Sequence, residues 1–407
     1  EIIMFFVKAL YCRIFQIGFR LALPLLPYRE PEIVSSCSKI PEVFEKEHRR
    51  SALIVTDRGI VNNGLTKPLE DVLTAHNIEY VVYDKTQPNP TVDNVGEALT
   101  LYRQKKCDCL IAIGGGSSMD CAKALGARVA YPKRTVGQMK GILRVMRKLP
   151  TLIAIPTTAG TGSEVTLAAI VTDPVKRHKY ALMSFPLIPH YAVLDAELTY
   201  SLPPQVTATT GMDALTHAVE AYIGRSTTKE TRRLALEATT LVFQNVKTAY
   251  NNPKNRKARE NMLHAAYKAG VSFSKSYVGY IHAVAHSLGG QYGIPHGLAN
   301  AVIMPYVLKA YGKSAYKKLH RLGIAAGVST ETDTVETGAK KFIRAIEELN
   351  EGMGIPKKLS GIRREDIPVM AAHAEKEANP LYPVPKLMTR EELETFYEQV
   401  AEGGTLA

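Results

Sequence analysis

Asp213 and His217 stand four residues apart in Gly211-Met212-Asp213-Ala214-Leu215-Thr216-His217, and His282 and His286 do the same in His282-Ala283-Val284-Ala285-His286. His296 follows a short glycine-containing stretch, in Pro295-His296-Gly297. Residues four apart share one face of a helix. A lone histidine in such an apolar segment is ordinarily a satisfied core residue. Two i,i+4 pairs of ligand types with a further histidine at a helix start have the spacing of a metal site. Imidazoles with one carboxylate suit Fe²⁺ or Zn²⁺, and intrinsic affinity does not choose between them. No His-Glu-x-x-His segment is present, which disfavours a zincin protease, and no Gly-x-Ser-x-Gly elbow occurs.

A second chemistry is carried by two glycine-rich loops. Gly114-Gly115-Gly116-Ser117 leaves an apolar run and opens a helical one, the arrangement in which backbone N–H groups and a helix dipole receive a pyrophosphate. It is neither Gly-x-Gly-x-x-Gly nor a Walker A loop. Pro156-Thr157-Thr158-Ala159-Gly160-Thr161-Gly162-Ser163 also leaves an apolar run and offers hydroxyls for phosphate, ribose or amide groups. Between Cys121 and Ser163 there are Lys and Arg residues but no acid, which fits an anionic cofactor. Tyr131 is the lone aromatic of that stretch, so the interleaving expected of a nucleic-acid surface is missing. Asp57 ends another apolar run. A carboxylate there either bonds a ribose 2′-OH and repels a 2′-phosphate, favouring NAD over NADP, or merely caps a turn.

These groups need elements to hold them. Ala52–Thr56, Glu79–Tyr83, Cys109–Ile113, Thr151–Ile155 and Tyr191–Leu194 read as buried strands, with helices such as Asn94–Lys105 and Met119–Ala130 between them. That alternation predicts a parallel sheet covered on both faces. Beyond Pro203-Pro204, helices are predicted over Gln205–Gly224, Glu230–Tyr250, Arg256–Phe273, Gly297–Ala310, Ala315–Ala326 and Thr334–Leu349, with no strand. The expected fold is thus an α/β Rossmann-like dinucleotide-binding domain (31–201) followed by an all-helical metal-binding domain (202–407). A chain of 407 residues with 45% hydrophobic and 22% charged residues fits two globular domains and excludes a disordered or collagen-like chain. Five cysteines make no disulfide framework and suggest a reducing, cytoplasmic setting. The net charge of +12 admits anionic partners.

Residues 1–30 form an amphipathic extension. Residues 2–27 are apolar but for Lys8, Arg13, Gln16 and Arg20, which share one face of a helix. No uncharged run reaches transmembrane length. Two orientations stand: the apolar face packs on the protein or on another subunit, the favoured reading, or the helix makes a weak membrane-surface contact with its basic face toward anionic lipid.

In combination these motifs resemble the iron-containing (group III) alcohol dehydrogenases, from about Ser36 to the C-terminus. The resemblance implies metal ligands at Asp213, His217, His282 and His296, with His286 beside nicotinamide and substrate. It implies cofactor contacts at Asp57, Gly115, Gly116, Ser117, Asp120, Thr157, Thr158, Thr161 and Lys179, an active site in the cleft between the domains, and a homodimer. Lys179 lies in a run, Lys176-Arg177-His178-Lys179, that reads otherwise as a solvated basic turn. Two segments depart from the family pattern: the extension, and the Pro-rich stretch Ala378–Lys386. Both are expected to leave the chemistry untouched.

The implied reaction is reversible hydride transfer between an alcohol and an aldehyde or ketone through NAD, with the metal a Lewis acid on the substrate oxygen. No further buried carboxylate stands out as a base, so His286 is the expected proton relay. Phe273 and Tyr277 are candidate pocket walls. Alternatives are a hydroxyacid–oxoacid transhydrogenase that retains NAD, a glycerol-type dehydrogenase or dehydroquinate-synthase-like lyase of the same fold, and a membrane-surface or nucleic-acid-binding protein on an inactive dehydrogenase fold. No nucleic-acid partner is expected.

Overall fold

The computed structural model describes residues 2–175 and 178–402, so Lys176 and Arg177 of the basic run lie outside the described residues. The chain divides into two compact units. One is Pro27–Ser201; the other joins the chain up to Leu26 with the chain from Leu202 onward.

In the first unit, strands β1 (Glu32–Val34), β2 (Ser51–Val55), β3 (Glu79–Tyr83), β4 (Cys109–Gly114), β6 (Thr151–Pro156) and β9 (Tyr191–Val193) form one sheet, in the order β1-β9-β6-β4-β2-β3. Every pairing in it is parallel. The continuous apolar runs have their cause here, because β2, β4 and β6 are buried on both faces. Leu53, Val55, Leu110 and Ala112 face one core; Ala52, Ile54, Cys109 and Ile111 face the other. All five cysteines are unpaired and buried. Chain order reverses between β2 and β4, and a crevice opens at such a point beyond the strands' carboxyl ends.

Between the strands lie helices α2 (Ile40–Lys46), α3 (Arg58–Asn62), α4 (Lys67–Ala75), α5 (Val92–Gln104) and α6 (Gly116–Ala130). A three-stranded sheet was not anticipated: β5 (Gly141–Ile142) pairs with β8 (His178–Met183), which runs antiparallel to β7 (Ala168–Asp173). In β7 and β8 buried residues alternate with part- or fully exposed ones. That pattern hid behind the basic run.

The second unit begins with α1 (Ile2–Ala22) and continues with α7 (Pro204–Ile223), α8 (Lys229–Asn251), α9 (Arg256–Ser276), α10 (Tyr280–Tyr292), α11 (His296–Tyr311), α12 (Lys313–Ala325), α13 (Val335–Gly352), α14 (Ile367–Ala378) and α15 (Arg390–Val400). Among the described residues it has no strand, only an isolated bridge between Leu359 and Ala401. Prolines at the first turn of α7 suit its start, since a proline there loses no helical hydrogen bond. From Gly211 to Ile223 every residue of α7 is buried. Polar groups on such a helix must find partners.

Helix α1 packs on this unit, but with the opposite face from the one expected. Gln16 is buried and donates to the carbonyls of Pro380 (3.2 Å) and Tyr382 (2.9 Å). Arg13 donates to those of Val384 (2.8 Å) and Pro385 (3.2 Å), and Lys8 pairs with Glu375 at 2.5 Å. The polar face turns inward because the Pro-rich stretch presents carbonyl groups that need donors.

Candidate active site

The second unit gathers Asp213 and His217 from α7, His282 from α10 and His296 from the first position of α11. One ligand atom from each lies within 4.8 Å of all the others. Three contacts make this possible. The start of α11 sits against α7 at Gly297, where a Cβ would stand 2.5 Å from the Thr209 carbonyl oxygen; only glycine lets His296 come so close. The His217 ring is stacked between Phe273 (4.1 Å) and His282 (4.5 Å). Asn300, one turn into α11, donates its amide to Asp213 Oδ1 (2.7 Å).

Burial works against an ionised Asp213, yet the facing His296 and His217 rings and the Asn300 amide hold its carboxyl below the usual carboxylate range. The opposite holds for His282: burial, then the neighbouring imidazoles, pushes it far down, so it is neutral. Its Nδ1–H donates to Glu220 Oε2 at 2.6 Å. That bond leaves Nε2 as the lone-pair nitrogen, and Nε2 is buried with no hydrogen-bond partner, 3.9 Å from Asp213 Oδ1. A buried imidazole nitrogen aimed at a carboxylate and two further imidazoles fits a divalent metal, and an apolar core does not explain it. The residues present therefore suit Fe²⁺ or Zn²⁺.

Glu220 was not anticipated, and it corrects the expectation that no further buried carboxylate stands nearby. It lies three residues beyond His217 and also accepts from the backbone N–H groups of Gly279 (2.9 Å) and Ile281 (2.8 Å), the otherwise orphaned start of α10. Burial raises it to about 7 despite those donors. Its i,i+3 spacing from His217 was the available signal.

His286, on the same face as His282, is half-exposed. Its Nδ1 lies 2.6 Å from Glu377 Oε1, and Glu377 also accepts from the Tyr382 hydroxyl at 2.8 Å. Tyr382 belongs to the Pro-rich stretch, so that stretch is not remote from the chemistry: two hydrogen bonds connect it to His286. Phe273 covers the His217 imidazole. Tyr277 meets Phe19 of α1 edge-on (5.0 Å) and Tyr382.

In the first unit Asp57, Gly115, Gly116 and Ser117 line a cavity of about 670 Å³ at the point of strand reversal, together with Arg58, Asp84, Lys85, Thr86, Asn94 and Glu97. Asp57 caps a turn, as one of the two sequence readings had it: Oδ1 accepts from Ile60 N (3.1 Å) at the start of α3, and the residue also lines the cavity. Gly114 has φ +146°, and a Cβ on it would lie 2.6 Å from Ser118 Oγ. Gly115 caps α6 without a side chain, leaving the first N–H groups to a ligand. The second loop lies against the first: Thr157 N donates to Gly114 O (3.0 Å), and Thr158 and Thr161 flank Gly115 and Gly116.

Asp120 faces elsewhere. Its oxygens accept from Ser163 Oγ and Ile170 N (both 3.1 Å), so it braces the second loop. Lys123 Nζ does the same, bonding Ser163, Thr166 and Ala168. Burial lowers it to about 8. Lys179 is exposed on β8 and bonds Asn89 Oδ1 (3.0 Å), next to the cavity's Pro88. Asp84, directly after β3, lines the same cavity as Asp57, two residues beyond β2.

Residues 34–196 match the model of the iron-containing alcohol dehydrogenases, and residues 207–401 match that of the C-terminal part of the Fe-containing alcohol dehydrogenase family. The chain is 38% identical over 341 residues to alcohol dehydrogenase 4 of Saccharomyces cerevisiae, spanning 83% of this chain and 87% of that one. A crystal structure of 1,3-propanediol oxidoreductase superposes with TM-score 0.88 at 33% identity, over 92% of this chain and 99% of that one. Sulfoacetaldehyde reductase from Bifidobacterium kashiwanohense, solved in complex with NAD+, gives 0.81 at 28% identity, over 92% and 98%. The ligand cluster, the glycine loops and these likenesses agree: the chain belongs to the iron-containing alcohol dehydrogenase family and is an oxidoreductase of the alcohol dehydrogenase type.

Proposed function

We propose that the protein is a metal-dependent alcohol dehydrogenase that moves hydride reversibly between a small alcohol or diol and NAD. The observation that carries this reading is the buried, unpartnered Nε2 of His282 among Asp213, His217 and His296. Fe²⁺ or Zn²⁺ held by those four residues would supply Lewis acidity toward the substrate oxygen. Asp213 contributes the one anionic ligand, and Glu220 keeps His282 in the tautomer that offers Nε2. With Nδ1 of His286 engaged by Glu377, the proton exchanged with substrate or solvent is at Nε2.

The start of α6 would hold the pyrophosphate of a dinucleotide, and Asp57 would hold the adenosine ribose, which would favour NAD over NADP. The diol class is suggested by the propanediol oxidoreductase likeness.

The test is elemental analysis of anaerobically purified protein, with NAD- and NADP-linked oxidation of a panel of short alcohols and diols on the same sample. About one Fe or Zn per chain and NAD-linked turnover are expected. Failure to take up either ion on reconstitution would sink the reading. Turnover only between two substrates, with nucleotide retained after desalting, would replace it with the transhydrogenase.

A further inference from the structure

Helix α1 holds the helical unit with its polar face, so its apolar face is left outside. Leu10 (62%), Ile14 (60%), Ile17 (59%) and Leu21 (72%) are exposed in one i, i+3, i+4 stripe. Val7 and Tyr11 extend the stripe at one end, and Leu25, just beyond the helix, at the other. Seven large apolar side chains exposed along one contiguous stripe are more than the scattered apolar residues of an ordinary soluble surface, and they mark an interaction surface.

Charge decides what covers it. Residues 2–27 carry three basic residues and no acid. Arg20 of the helix is exposed, and near it stand Arg225, Arg232 and Lys318. They are close enough that Lys318, lowered first by burial and then by those three arginines, falls to about 8. Arg225 acts on Arg13 in the same direction. At the other end Glu375 is already engaged by Lys8 and Arg390. A second copy laid on the stripe about a two-fold axis would bring another basic helix to this one, without an acid on either helix to receive it. An anionic bilayer supplies both the apolar interior and the counter-charge. None of the described helices is long and apolar enough to cross a membrane, so the contact is one of lying on the surface.

We propose that α1 is an interfacial anchor that sinks its Leu10–Ile14–Ile17–Leu21 stripe into an anionic lipid surface, with Arg20 and Arg225 at the headgroups and the polar face gripping the enzyme. This inference stands on α1 alone and does not depend on the substrate or metal assigned above.

The chain has no tryptophan, so Ile14→Trp is a single fluorescent reporter on the stripe. It is mixed with phosphatidylcholine vesicles, with or without about one-third phosphatidylglycerol, at low and high salt. A blue-shifted emission, quenched by brominated acyl chains, is expected with the anionic vesicles. Cosedimentation of the unmodified chain should fall at least about 10-fold on adding Leu10→Glu with Ile17→Glu, as burying charge in acyl chains requires. Arg20→Glu with Arg225→Glu should remove the preference for anionic lipid. Emission that stays red-shifted with every vesicle, or sedimentation untouched by the glutamates, overturns the proposal. So does a change of mass in the ultracentrifuge on Ile17→Glu without vesicle binding, which would assign the stripe to a second copy.

Discussion

Helices α7 and α1 belong to the same unit, and each turns polar side chains toward the protein. On α7 the inward polar groups are Asp213, His217 and Glu220, and every neighbouring position is buried as well. On α1 the inward groups include Arg13, Gln16 and the small Cys12, and outside stand large apolar residues with Lys8 and Arg20 among them. The difference teaches that amphipathicity measures how strongly the two faces of a helix differ. It does not say which face looks in. That depends on what the neighbours need: a core needs hydrocarbon, a metal needs lone pairs, and a proline-rich loop with open carbonyls needs donors.

The largest effect that would break this comparison lies on α7. If Asp213 is the anionic ligand, Asp213→Asn keeps the shape and removes the charge. Metal content after dialysis should fall to background and turnover by at least about 100-fold, since a ligand and its Lewis-acid function are lost together. Full metal retention in the variant would make α7's polar row a structural network, no different in kind from that of α1.

Next in size is Glu220→Gln. Gln has one acceptor where Glu220 serves Gly279, Ile281 and His282, and its NH2 would face their donors. Metal affinity should drop roughly 10- to 100-fold, the usual cost of losing a group that orients a ligand histidine. Metal titration checks it, with the urea midpoint of the metal-free protein as control. A midpoint that falls while affinity holds would reduce Glu220 to a helix cap.

How far the sequence carried depends on the same distinction. The cluster of Asp213, His217, His282 and His296 was legible in two steps: i,i+4 spacing drew attention to Asp213/His217 and His282/His286, and the family resemblance singled out the four that the fold brings together. The glycine loops were legible because strand, turn and helix start are consecutive. Glu377 and Tyr382 were not, since they reach His286 from 91 and 96 residues further along the chain, and only packing brings them there. The two departures from the family pattern, read separately, turn out to be partners: Arg13 and Gln16 of the extension bind the carbonyls of the Pro-rich stretch. The β7–β8 hairpin was hidden because half of each strand faces out.

On α1 the comparison is sharpened by Arg13→Ala. Its guanidinium satisfies two carbonyl oxygens and the Gln16 side chain while half-buried. Losing charge-assisted bonds of this kind should cost about 2–3 kcal/mol in urea unfolding. Leu10→Ala on the opposite face should cost less than about 0.5 kcal/mol. Equal costs would mean that the apolar face is the packed one.

The smallest effect tests the premise that a buried histidine needs a reason. His190 offers the control for His282, because its Nδ1 has an ordinary partner: it accepts from Leu152 N at 3.1 Å, next to the β6–β9 pairing. Burial, then Arg29, lowers it to about 4 from 6.5. Between those values the unfolded chain binds the proton and the folded one does not, so stability is lost as pH falls from 6.5 toward 4. By pH about 5 the loss from this group should be on the order of 1–2 kcal/mol relative to neutral pH. His190→Asn keeps an acceptor for Leu152 N and cannot take the proton. Urea midpoints of the two proteins should therefore draw together as pH falls, while metal loss from the other unit affects both alike. Parallel curves would show that His190 protonates in the fold without penalty. Burial and a backbone partner would then not be enough to keep an imidazole neutral, and the neutrality assigned to His282 would have to rest on its bond to Glu220.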